Sequence, residues 1–185
     1  MLETLKYKVC ISGSAVMNEP PSVKEKAKAL GRELAAQKVV VLTGATTGYP
    51  YYAAVGAKEA GGVTIGFSPA MSYKEHTKKY RLPTDNHDLI VYTGFGYSGR
   101  NLFLVRSGDA VIHIAGRIGT LNEFTSAFED KKVIGVLLGT GGTSSLIDGI
   151  IEIADRGAGK IVYDDDPVAL VQQVVQLIKK EAHAD

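Results

Sequence analysis

Cysteine is almost absent from this chain: Cys10 stands alone, so no disulfide can close within the 185 residues. An excess of one charge is missing too. Twenty-one lysines and arginines against 20 aspartates and glutamates leave a formal +1 at pH 7, which supplies no general attraction for nucleic acid or for an anionic membrane. The longest apolar stretches, such as Val136-Leu137-Leu138, fall far short of the roughly 18 consecutive residues that a membrane span requires. The opening residues MLETLKYKVC carry neither the basic start nor the apolar core of a secretory signal. His76, His87, His113 and His183 show no metal-ligand spacing, and no repeat or low-complexity segment is present. These absences exclude membrane, collagen-like, zinc-finger and disulfide-scaffold classes and lead us to expect a cytoplasmic protein with no metal.

What is present suits a globular core: 45% of residues are hydrophobic, and the length is closest to one domain over residues 1–185 on a prior of about 150 residues per domain. Seven short, nearly continuous apolar runs read as strands: Lys8 to Ser12, Val39 to Thr43, Val63 to Phe67, Leu89 to Tyr92, Ala110 to Ile114, Val133 to Leu138 and Ile161 to Tyr163. Helical patterns alternate with them near Ser22 to Gln37, Pro50 to Ala60, Asn101 to Arg106, Leu121 to Glu129, Ser144 to Ala154 and Pro167 to Glu181. A capping box is expected at Ser22 and Glu25, and an N-cap with Pro at N1 is expected at Asp166 and Pro167. Gly139 to Thr143 reads as a flexible loop. The alternation predicts an α/β fold: a single Rossmann-like, doubly wound domain of about seven mostly parallel strands flanked by helices.

Ligands of such sheets bind at the carboxyl ends of the strands, and glycine and small hydroxyl residues concentrate there: Gly13-Ser14, Thr43 to Gly48, Gly94 to Gly99 and Gly116 to Thr120. A phosphate-bearing ligand is the leading expectation. The long connection from Ser68 to Asp88 carries Lys74, Lys78, Lys79 and Arg81, which reads either as a cationic lid or as a solvated surface helix.

The strongest local signal is Ala115-Gly116-Arg117-Ile118-Gly119-Thr120-Leu121-Asn122-Glu123, directly after an apolar strand and opening a helix. Amides at Gly116, Arg117, Gly119 and Thr120 would meet a phosphate at a helix N-terminus, with Glu123 one turn in. Alternatively, Thr120 and Glu123 form a capping box that satisfies the helix itself. Cys10 reads as a buried inert thiol and His113 as a packed or pocket-edge histidine. Tyr49, Tyr51 and Tyr52 read as a base-stacking group, a subunit interface or simple packing.

That nonapeptide resembles the PGGxGTxxE hallmark of the LOG-type nucleotide-binding proteins, formerly labelled possible lysine decarboxylases. It keeps two of the glycines as Gly116 and Gly119, with Thr120 and Glu123. The family's arginine-lysine pair aligns with Arg100-Asn101, Ser12-Gly13-Ser14 resembles its first-strand turn, and Gly44 to Gly48 resembles its GGGxxG stretch. Proline is replaced by Ala115, a glycine by Arg117, the lysine by Asn101 and another glycine by Ala45. The resemblance implies hydrolysis of the N-glycosidic bond of a nucleoside 5′-monophosphate, with Arg100 and Glu123 catalytic. Gly13, Ser14, Gly44, Gly48, Gly116, Arg117, Gly119 and Thr120 would then bind the nucleotide. No cofactor is implied, the partner is a phosphate-bearing small molecule and not nucleic acid, and the assembly is a homodimer. The departures favour the alternative, a non-catalytic carrier or sensor of a nucleotide-like ligand that resembles the molybdenum-cofactor carriers. Lysine decarboxylase chemistry has no support, since no lysine is marked for a Schiff base.

Overall fold

The computed structural model describes residues 7–18 and 20–182. Strands β1 (Lys8–Gly13), β2 (Val40–Thr43), β3 (Thr64–Ser68), β4 (Leu89–Tyr92), β5 (Ala110–Ile114), β6 (Val133–Leu137) and β7 (Lys160–Asp164) form one sheet in the order β4-β3-β2-β1-β5-β6-β7. Every pairing is parallel. Strands β2, β5 and β6 are buried at every residue, which is why their sequences run apolar without alternation.

Helices α1 (Pro21–Ala36), α2 (Tyr49–Glu59) and α6 (Pro167–Glu181) cover one face through Leu30, Leu34, Ala53, Val171 and Val174. Helices α3 (Gly96–Ser107), α4 (Ile118–Glu129) and α5 (Ile147–Ala154) cover the other through Leu104, Phe124 and Ile147. Right-handed crossovers force this division, because the chain steps outward from β1 to β4 and then returns to β5 and steps the other way. The loops after β1 and β5 therefore diverge to opposite faces, and a crevice opens between them at the carboxyl ends of the strands.

Asp166 caps α6 as expected, its carboxylate accepting from Val168 N at 2.7 Å and Ala169 N at 3.1 Å. The expected capping box at Ser22 and Glu25 does not form, since Pro20 is the N-cap and Pro21 starts the helix with φ already set. The segment Gly139 to Thr143 is not a flexible loop. Thr140 Oγ1 accepts from Ala115 N at 2.8 Å, Thr143 N donates to Gly116 O at 3.1 Å, and Gly142–Leu146 winds as a 3-10 turn. In the long connection, a π-helical turn over Glu75–Lys79 is fixed by His76, whose ring bonds Ser68 Oγ (2.8 Å) and Pro83 O (2.9 Å).

Candidate functional site

The crevice between β1 and β5 is a cleft of about 320 Å³, within the range of small-molecule sites at its lower end. Its walls are the turn after β1, the turn after β2, the inner side of α3 and the first turns of α4. After β1, Ser14 Oγ accepts from Val16 N (3.1 Å) and donates to Val16 O (2.5 Å), which folds the chain back at once and leaves Gly13 and Ser14 on the cleft wall. After β2, Thr43 Oγ1 accepts from Ala45 N (3.1 Å), and Gly44 faces the cleft.

Arg100 and Glu123 meet at the inner end. The two are 5% and 6% exposed, with Arg100 Nη1 3.6 Å from Glu123 Oε1. Ser12, reaching over from β1, donates its hydroxyl to Glu123 Oε2. The Asn101 amide, turned so that its nitrogen faces acceptors, donates to Glu123 Oε1 (3.0 Å) and Tyr97 O (2.9 Å), an arrangement in which the Asn122 amide turns with it. Burial pushes the Glu123 carboxyl above its usual value, opposed by Arg100 and Ser12; burial also pulls the Arg100 guanidinium down, opposed by Glu123. Arg100 Nε is buried and has no hydrogen-bond partner among the described residues. A buried guanidinium with an idle donor is costly in an empty fold and is suited to an anion.

Gly44 explains how Arg100 is held. A Cβ at position 44 would lie 2.6 Å from Arg100 Cζ, so the guanidinium rests directly on the glycine backbone. Gly44 lines the cleft, and its lack of a side chain is what leaves room for Arg100.

The loop before α4 is held in an unusual shape. Ala115 has φ +52°, a conformation closed to the proline found there in the resembling family. Its amide bonds Thr140, and its carbonyl accepts from both Ser144 N (3.1 Å) and Ser144 Oγ, so the surrounding structure holds the strained residue in place. Arg117 is the N-cap, and its N–H donates to Thr120 Oγ1 at 3.4 Å. Thr120 is thus the third residue of α4, and the capping box expected from Thr120 and Glu123 is absent. The amides of Ile118, Gly119 and Thr120 have no acceptor within the helix by position. Gly119 has open space where a Cβ would stand, and with Arg117 and Thr120 it faces the cleft.

Two residues expected in the site lie outside the cleft lining. Gly48 (φ +83°) packs on the turn after β1, where a Cβ would stand 2.5 Å from Ala15 Cα. Gly116 is wedged between Thr120 and Thr143, and its carbonyl is taken by Thr143 N. Lys74, Lys78 and Lys79 border a separate surface depression, although Tyr80 beside them meets Tyr97 of the cleft edge-on at 5.5 Å. Tyr49 is core, and Tyr51 bonds Asp85 (2.7 Å) away from the cleft. Cys10 is fully buried, and burial raises its thiol well above its usual value. His113 is buried against Phe124 with neither ring nitrogen partnered among the described residues.

Sequence reasoning missed Ser12, Tyr97 and Val16. The signal for Ser12 was its parity with Cys10 on β1, which puts both on the face covered by α3 and α4. Among the described residues no helix is long and apolar enough to cross a membrane.

An uncharacterised protein of Archaeoglobus fulgidus is 30% identical over 108 residues, 58% of this chain and 66% of that protein. The structure of the molybdenum cofactor binding protein from Rippkaea orientalis superimposes with a TM-score of 0.75 at 26% identity, covering 96% of this chain and 98% of that one. The molybdenum cofactor carrier protein from Chlamydomonas reinhardtii gives a TM-score of 0.75 at 25% identity, covering 94% and 99%. The model of the SLOG cluster4 family matches residues 6–171, and this chain belongs to that family.

Proposed function

We propose that the cleft binds a phosphate-bearing, nucleotide-like small molecule and that the chain acts as its carrier or sensor. The observation that carries this reading is the buried Arg100 guanidinium, whose Nε donor has no partner among the described residues, in a cleft that also presents Arg117 and the first-turn amides of α4. Phosphate at such a helix terminus gains both the orphan amides and the helix dipole. The structural likeness to proteins that bind or carry molybdenum cofactor supports the same reading.

The Glu123 carboxylate is already engaged. Ser12 occupies one oxygen, Arg100 and Asn101 address the other, and burial favours the neutral acid. A carboxyl held through both oxygens is not free to approach an oxocarbenium-like transition state. The second reading, hydrolysis of a nucleoside 5′-monophosphate to base and ribose 5-phosphate, is favoured by the contact between Arg100 and Glu123 within the cleft. The Glu123 carboxylate beside Arg100 would then face the developing positive charge.

The test is incubation with a panel of nucleoside 5′-monophosphates, free base being measured by chromatography and binding by thermal shift, with molybdenum cofactor in parallel. A ligand present at 100 times its dissociation constant should stabilise the protein by about 2.7 kcal/mol. The carrier reading expects that stabilisation with no free base. Base release that disappears in Glu123→Gln would replace it with the hydrolase reading.

Self-association as a homodimer is supported by the outer surface of α3. Phe95 and Phe103 stack at 5.1 Å and are 63% and 46% exposed. Exposed Leu89 and Val91 on the edge strand β4 pair in register with Ile65 and Phe67, which places them on the same sheet face as α3. Apolar surface of this extent around a sheet edge marks an association site. The expected result is a dimer in light scattering that Phe103→Glu converts to monomer; a monomeric wild type would refute it.

A further inference from the structure

Two arginines serve the cleft, and their surroundings differ. Arg100 is buried and seated on the Gly44 backbone, so its position is set before any ligand arrives. Arg117 is exposed, and its side chain makes no hydrogen bond or ion pair with any described residue. It nevertheless borders the same cleft, at the residue from which α4 begins. Between the two lie the first-turn amides of α4 and Gly119, which leaves room for an oxygen-rich group to approach the backbone. Among the described residues of the cleft lining the only acidic side chain is Glu123, and its oxygens are engaged by Ser12, Arg100 and Asn101.

We propose that Arg117 is the specificity-determining residue of this cleft, closing over the ligand's terminal phosphate and selecting a doubly charged phosphate monoester over singly charged or neutral analogues. This rests on the binding reading above and extends it to the class of phosphate bound. The helix terminus and the unpartnered Nε–H of Arg100 suffice for a singly charged group, whereas the second charge of a dianion calls for a further cation. The planar guanidinium of Arg117 supplies that partner with two parallel donors. Because the side chain is not used by the fold, closing it breaks no existing contact. Its cost is only the rotamer freedom of one exposed side chain.

The experiment measures dissociation constants by calorimetry for adenosine 5′-monophosphate, its singly charged 5′-phosphate methyl ester, adenosine and inorganic pyrophosphate. Wild type, Arg117→Ala and Arg117→Lys are compared, with circular dichroism to confirm the fold. The expected result is that Arg117→Ala weakens the monophosphate at least 10-fold and the methyl ester less than 3-fold, and leaves adenosine unchanged. Arg117→Lys should recover part of the loss, since it restores charge without the second donor. Equal weakening of monophosphate and methyl ester, or no weakening of either, overturns the assignment of Arg117 while leaving the binding reading intact. Pyrophosphate binding that depends on Arg117, with no nucleotide bound, keeps Arg117 as the anion-selecting residue and overturns the nucleotide-like ligand. Wild type that binds none of the four overturns both.

Discussion

Alanine at position 44 will expel Arg100 from its seat. The added methyl would overlap the guanidinium, which must leave its place beside Glu123. Position 44 does not have a positive φ, so alanine itself introduces no backbone strain. Separating a buried ion pair of this kind costs about 3 kcal/mol, because the carboxyl is left without its cation in a site water scarcely reaches. Gly44→Ala should therefore lower the stability measured by urea denaturation by about that amount and weaken phosphate-ligand binding by about 100-fold. In an Arg100→Ala background the same substitution should cost almost nothing, since no guanidinium remains to be displaced. Equal costs in the two backgrounds would show that Gly44 serves the turn after β2 and not Arg100.

Acid will unfold the protein through His113. Its ring is fully buried beside Phe124, and burial holds its pKa down at about 3, against 6.5 for an unhindered histidine. The unfolded chain binds this proton from about pH 6.5 downward, whereas the folded chain refuses it until about pH 3. Stability is thus fully present above pH 6.5 and drains away as pH falls toward 3, by about 5 kcal/mol at most. That loss approaches the whole stability of a marginal domain. Urea titrations at pH 7, 5.5 and 4 should show a steep decline for wild type and a shallower one for His113→Leu. Parallel declines would assign acid sensitivity to other groups. Within the sheet His113 is in register with Ser12, so the ring that must be protonated stands beside the hydroxyl that holds Glu123.

The strands are legible because both faces of the sheet are covered, which leaves continuous apolar runs such as Val39 to Leu42 with little competing interpretation. Helix α3 was legible only in its second half. Gly96, Tyr97, Ser98 and Gly99 have poor helical propensity, so its first turn, and Tyr97 with it, reads as loop in the sequence. The pairing of Arg100 with Glu123 follows from the resemblance, but the contact of Ser12 with Glu123 spans 111 positions in sequence, and strand parity gives only the face of Ser12 and not its partner. Gly48 and Gly116 were read as ligand-facing because a glycine that admits a phosphate and one that admits a neighbouring loop look alike in sequence. Only the positions of Ala15, Thr120 and Thr143 distinguish them.

Helix α3 presents Arg100 and Asn101 inward to the cleft and Leu102 and Phe103 outward. Both faces belong to one helix of 12 residues, so the proposed ligand site and the proposed dimer surface share a single element. If the helix passes a change from one face to the other, the proposed occupancy and self-association would be linked: whatever factor the ligand adds to the association constant, association must add to the affinity for ligand. Dilution alone would then release cargo.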